Sequence, residues 1–79
     1  MENWVEKNNS LYKCFQFSDF VSAMGFITQV AIISEKMNHH PTWSNTYNKV
    51  EFWLSTHDKG DVVTELDHQL ASKIDKIYR

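Results

Sequence analysis

From Ser18 to about Met37 the chain carries a helical pattern whose apolar residues fall on two stripes, and 79 residues leave little else to bury both. Phe20, Met24, Ile27 and Ala31 form the first stripe; Ala23, Phe26, Val30, Ile33 and Met37 form the second. The polar remainder, Ser22, Gln29 and Lys36, is only a narrow strip. One sheet cannot cover both stripes, so the pattern predicts a helix packed on its own sheet and also on another subunit. Ser18 is the expected N-cap, with the acidic Asp19 as first helical residue. Pro41 stops the helix from continuing and steers His40 toward extended geometry.

Before this helix, Trp4 to Lys7 and Leu11 to Phe17 are short aromatic-rich segments separated by the turn-favouring Asn8-Asn9-Ser10, which predicts a β-hairpin. Leu11, Phe15 and Phe17 mark the core face, although Lys13 shares their parity. After the helix, Trp43 to Asn48 and Lys49 to Thr56 read as two further strands; Val50, Phe52 and Leu54 alternate with Glu51, Trp53 and Ser55. Asp58-Lys59-Gly60-Asp61 is a turn, and Thr64-Glu65-Leu66-Asp67 resembles a capping box with Asp in the usual Glu place. Leu66, Leu70, Ile74 and Ile77 then form one helical face to about Tyr78. The order ββαββα predicts an α+β fold: a single-layer four-stranded antiparallel sheet with two helices on one face, as a single domain over residues 1–79.

The single Cys14 excludes an intramolecular disulfide, which leaves a metal or partner subunits to support so small a core. Lys and Arg total 8 against 10 Asp and Glu, without a basic cluster, so the chain has no footprint for phosphate backbones and no direct nucleic-acid partner is expected. No run approaches the roughly 20 apolar residues of a membrane span. A soluble, cytoplasmic protein is expected, and the lone thiol suits a reducing compartment.

Three of the four histidines, His39, His40 and His57, sit at the ends of elements, the usual address of catalytic groups. Histidine titrates near pH ~6.5 and so both donates and accepts protons at neutral pH, and the cluster points to acid–base work. A zinc site built from the same residues is disfavoured, because adjacent residues of an extended segment point to opposite sides and no thiolate is near. Cys14 lies in a strand interior, no serine has a nucleophile-elbow context, and Gly25 and Gly60 form no phosphate loop. His68, on the last helix, reads as a solvated surface residue.

The stretch Glu35-Lys36-Met37-Asn38-His39-His40-Pro41-Thr42-Trp43-Ser44-Asn45-Thr46-Tyr47-Asn48, followed by Leu54-Ser55-Thr56-His57-Asp58, resembles the signature of the pterin-4a-carbinolamine dehydratases. Glu35, His39, His40, Pro41, Tyr47, His57 and Asp67 fill its places, and a weaker likeness runs from Trp4 to Asp75. The resemblance implies removal of water from 4a-hydroxytetrahydropterin, in pterin recycling, without metal or other cofactor. It implies His39 and His57 as the acid–base pair and His40 as a substrate-binding residue assisting protonation. Glu35, Asn38, Thr56 and Asp67 would hold the pterin edge or orient the histidines, and Trp43 would shape the pocket. For Asp67 the capping of its helix, and for Trp43 a place in the core, are the structural alternatives. The implied partners are a pterin and further copies of the chain, a dimer or tetramer through the long helix. The alternative is a non-catalytic interaction module on the same fold, either a transcriptional coactivator, since a mammalian member doubles as a dimerisation cofactor of a homeodomain transcription factor, or an assembly factor. The family commonly has another helix before its first strand, whereas this chain starts almost at the strand. Some members have aspartate at the place of Asn38, and the turn from His57 to Asp67 is about one residue longer than in some relatives.

Overall fold

The first strands are joined by Asn8 and Asn9, both left-handed with φ 53° and 64°, the backbone that a two-residue hairpin turn requires and that asparagine tolerates. In the computed structural model, which describes residues 3–78, this turn links β1 (Val5–Lys7) to β2 (Ser10–Gln16). The ends of the expected domain, Met1, Glu2 and Arg79, lie outside the described residues. Then follow α1 (Phe20–Met37), β3 (Thr42–Thr46), β4 (Lys49–Leu54), a 3-10 turn at His57–Lys59 and α2 (Glu65–Tyr78). The four strands form one antiparallel sheet in the order β1-β2-β4-β3, with Leu11 opposite Leu54, Phe15 opposite Val50 and Trp43 opposite Phe52. The ββαββα order and the four-stranded sheet are those expected.

Period-two alternation puts Leu11, Phe15, Val50, Phe52 and Leu54 on one face, where they meet Ala23, Phe26, Ile27 and Val30 of α1 and Leu70, Ala71 and Ile74 of α2. Aromatic pairs stitch this core to the C-terminal helix: Phe15 lies 4.8 Å from Tyr78 and 5.1 Å from Phe26, and Phe17 lies 5.3 Å from Tyr78. Such a pair contributes about 0.5–1.5 kcal/mol beyond its burial. Lys13 does lie on the core side, and Asp75 of α2 explains it by accepting from its ammonium at 2.9 Å. Among the described residues no helix covers the opposite face; there Tyr12 and Ser44 donate to the two oxygens of Glu51, at 2.6 and 3.1 Å, and Tyr12 leans on Trp53.

Both helices differ in detail from expectation. Asp19, not Ser18, is the N-cap of α1, because its carboxylate reaches the Ser22 N–H at 2.7 Å, and the helix starts at Phe20. Of the two stripes, one face is buried, formed by Ala23, Phe26, Ile27, Val30 and Ser34. Phe20 and Met24 are exposed, together with Val21 and Ile32 at 77% and 58%, so the apolar surface left over is wider than the first stripe alone. On α2, Leu66 is exposed and Asp67 occupies the buried position beside it.

Candidate functional site

The end of α1 determines where the histidines point. Asn38 adopts φ 53° and ψ 43°, and its N–H and that of His39 bond back to Glu35 and Ser34 carbonyls at 3.1 and 3.0 Å. This is a Schellman closure, in which the left-handed residue reverses the chain. It turns His39 inward, where it is buried, and leaves His40 outside before Pro41 leads into β3. Asn38 therefore has a backbone role that its suggested contact with a ligand does not require.

His39 meets α2 at its first turn. Nε2–H of His39 donates to Oδ1 of Asp67 at 2.6 Å; the hydroxyl of Thr56 and the N–H of Thr64 donate to Oδ2, each at 2.8 Å. Asp67 is completely buried, so its charge is stabilised by these donors rather than by water. The Thr64 bond is half of the expected capping box; in place of the other half the Asp67 N–H bonds the Thr64 carbonyl at 3.0 Å, and the Thr64 hydroxyl pairs with that of Thr56 at 2.7 Å. Asp67 thus both caps its helix and binds a histidine. The carboxylate ties the exit of α1, the exit of β4 and the start of α2 to one point.

The other two histidines lie one residue away from this node along the chain, and both are exposed. His40 Nε2–H donates to Oε1 of Glu35 at 2.8 Å, and His57 Nδ1–H donates to Oδ1 of Asp61 at 2.5 Å. All three imidazoles therefore share one arrangement: one nitrogen on a carboxylate, the other without a hydrogen-bond partner among the described residues. A carboxylate accepts, so it keeps a proton on the nitrogen it faces; the other nitrogen then carries a lone pair in the neutral ring, as a base needs, or a proton in the imidazolium, as an acid needs.

Sequence reasoning missed two members of this constellation. Asp61 stands four residues after His57 and takes φ 59°, with its N–H on the Thr56 carbonyl at 3.0 Å. A carboxylate after Gly60 in a turn that opens on a histidine was the available signal. Ser34, buried with its hydroxyl unpartnered, lies where the His39 N–H bonds its carbonyl, and no spacing marked it. Trp43 is 46% exposed, which sets aside its place in the core and leaves it on β3 just past Pro41. Among the described residues no three His, Cys, Asp or Glu side chains are grouped to hold a metal ion, and no helix is long and apolar enough to cross a membrane.

Residues 1–77 match the family model described as pterin 4 alpha carbinolamine dehydratase. A Rhizobium meliloti (strain 1021) protein provisionally named pterin-4-alpha-carbinolamine dehydratase is 53% identical over 78 residues, covering 96% of this chain and 74% of the relative. One from Prochlorococcus marinus (strain NATL2A), named in the same provisional way, is 48% identical over 75 residues, covering 95% and 78%. The crystal structure of a transcriptional coactivator/pterin dehydratase from Brucella melitensis superposes with a TM-score of 0.88 at 40% identity, covering 98% of this chain and 81% of that one. A pterin dehydratase-like protein identified as a RuBisCO assembly factor in the alpha-carboxysome superposes with a TM-score of 0.83 at 22% identity, covering 98% and 90%. At that identity the likeness concerns the fold alone.

Proposed function

Because this chain belongs to the pterin-4a-carbinolamine dehydratase family, we propose that it removes water from 4a-hydroxytetrahydropterin to give the quinonoid dihydropterin, by histidine acid–base catalysis in pterin recycling. The observation that carries this reading is the shared arrangement of His39, His40 and His57, each with one nitrogen held by a carboxylate and one left over for a substrate. Dehydration expels hydroxide from the 4a carbon as electron density from the ring nitrogen forms the new double bond. One proton must reach the departing oxygen and one must leave the ring. His39 and His57 supply that pair, and His40 binds the substrate and assists protonation; each transfer contributes typically ~10²–10⁴-fold.

In this reading Asp67, Glu35 and Asp61 act through the histidines by fixing the protonated nitrogen and the ring orientation. Thr56 holds Asp67 in place, Asn38 shapes the turn, and Trp43 offers an exposed ring at the rim. The uncovered face of α1, with Phe20, Val21, Met24 and Ile32, supports a homo-oligomer assembled through that helix, and pterin recycling would place it in the cytoplasm.

The test is stopped-flow ultraviolet absorbance of freshly generated 4a-hydroxytetrahydropterin with metal-chelated protein at micromolar concentration. Acceleration that survives chelation is the expected result. A folded oligomer that gives none refutes dehydration and leaves the non-catalytic interaction module.

A further inference from the structure

A cleft of about 1030 Å³ lies between β2 and the last turns of α2, lined chiefly by Lys13, Phe15, Phe17, Lys49, Lys76 and Tyr78. It is separate from the histidines: Asp75, also in its lining, is eight helical residues from Asp67, about 12 Å along the axis. Its volume is that of a small-molecule site.

Its charge is opposite to that of the whole chain. Three lysines against Asp75 leave an excess of two positive charges, on a chain of formal charge −2. Lys49 and Lys76 enter no salt bridge among the described residues.

Lys13 carries the argument further. Its side chain is 9% exposed, and an ammonium buried to that degree needs acceptors for three N–H groups. Among the described residues it has one acceptor, Asp75 Oδ1 at 2.9 Å, an oxygen that also accepts from Trp4 Nε1 at 3.1 Å. Its other near neighbours are ring faces, Phe15 at 4.9 Å and Trp4 at 6.0 Å from the ring centres. Beside it the half-buried Phe17 and the exposed Tyr78, with ring centres 5.3 Å apart, border the cleft above the buried Phe15.

We propose that this cleft binds a small amphipathic anion: a flat apolar body lying against Phe17 and Tyr78, with an aromatic carboxylate as the chemical class. The carboxylate takes the unused donors of Lys13, and Lys49 and Lys76 complete its charge at the rim. The site needs no histidine and stands whether or not the dehydratase reading does.

The test is titration of 2-naphthoate into the whole chain, followed by amide proton–nitrogen spectra. Saturable shifts are expected at Lys13, Ser72 and Tyr78, and none at His39 or His57. The Lys49→Glu/Lys76→Glu double variant, altered only at exposed positions and checked for its fold by circular dichroism, binds roughly tenfold more weakly. The neutral 2-naphthamide is weakened to a similar degree. The proposal is overturned by no saturable shift up to about 10 mM, by equal affinity for the amide, by equal affinity of the folded double variant, or by shifts centred on the exposed face of α1.

Discussion

Replacing Asp67 with alanine removes one acceptor group from three donors at once, of which His39 and Thr56 are buried and cannot turn to water. Each buried donor left unsatisfied costs about 1–3 kcal/mol, so the two together cost about 4 kcal/mol with the lost helix cap. A domain of 79 residues has roughly 4–12 kcal/mol in all, at about 0.05–0.15 kcal/mol per residue. Asp67→Ala is therefore expected to remove a third of the stability or more. Asp67→Asn is gentler. Its amide oxygen can replace Oδ2 and keep Thr56 and Thr64, but its NH₂ then faces His39 Nε2, which must become the acceptor and move its proton to Nδ1. That variant should lose about 1–2 kcal/mol and switch the tautomer of His39. Urea unfolding followed by tryptophan fluorescence reads the first quantity, at one fixed protomer concentration because assembly adds to apparent stability. Long-range proton–nitrogen spectra of the imidazoles read the second. An alanine variant within about 1 kcal/mol of the parent, or an asparagine variant that keeps its Nε2–H tautomer, refutes the role given to this carboxylate.

His57→Ala should abolish most turnover in the stopped-flow assay while leaving the protein folded; unchanged activity would remove His57 from the proposed mechanism. Asn38→Ala should cost about 1 kcal/mol, because alanine resists the left-handed backbone there, whereas Asn38→Gly should be nearly neutral; an equal loss of turnover in both would instead show that the side chain serves the substrate. Val21→Glu with Ile32→Glu, both on the uncovered face of α1, should leave the protomer folded and reduce its sedimentation coefficient to that of a monomer. The Ser22 N–H and hydroxyl hold the Asp19 carboxyl below its ordinary value of 3.8. Its stabilising effect is therefore complete above that value and lost as pH falls through the lower, folded one, so Asp19→Asn should flatten the acid limb of thermal melts between about pH 2 and 5; an unchanged limb would contradict it.

What was legible in the chain was whatever local chemistry enforces. Two consecutive asparagines, a proline after paired histidines and a strict alternation from Val50 to Leu54 each imply one backbone geometry, and the elements formed where those signals stood. Lys13 was the exception in an otherwise apolar strand face, and its solution lies 62 residues away in Asp75, beyond any local pattern. Leu66 misled for the opposite reason: hydrophobic periodicity assigned it the core, but the buried place went to Asp67, whose three donors come from separate parts of the chain. In the same way the site was visible as residue types at element ends, while the pairing of His57 with Asp61 depended on the left-handed backbone of a turn residue whose one signal was its place after Gly60.

The hydroxyl contact between Thr56 and Thr64, reinforced by the Thr56 N–H on the Val62 carbonyl at 2.8 Å, closes the segment between them like the neck of a bag. A segment tied at its neck can change length without moving what lies outside the tie. Lengthening a closed loop of this size by one residue adds only about 0.1 kcal/mol of closure entropy. His39, Asp67 and the core are anchored below the neck and are indifferent to the change, whereas His57 and Asp61 ride within the loop itself. Insertions here therefore retune one histidine and leave the other two in register, which makes this short stretch the place where a chain of this architecture can alter its chemistry without being refolded.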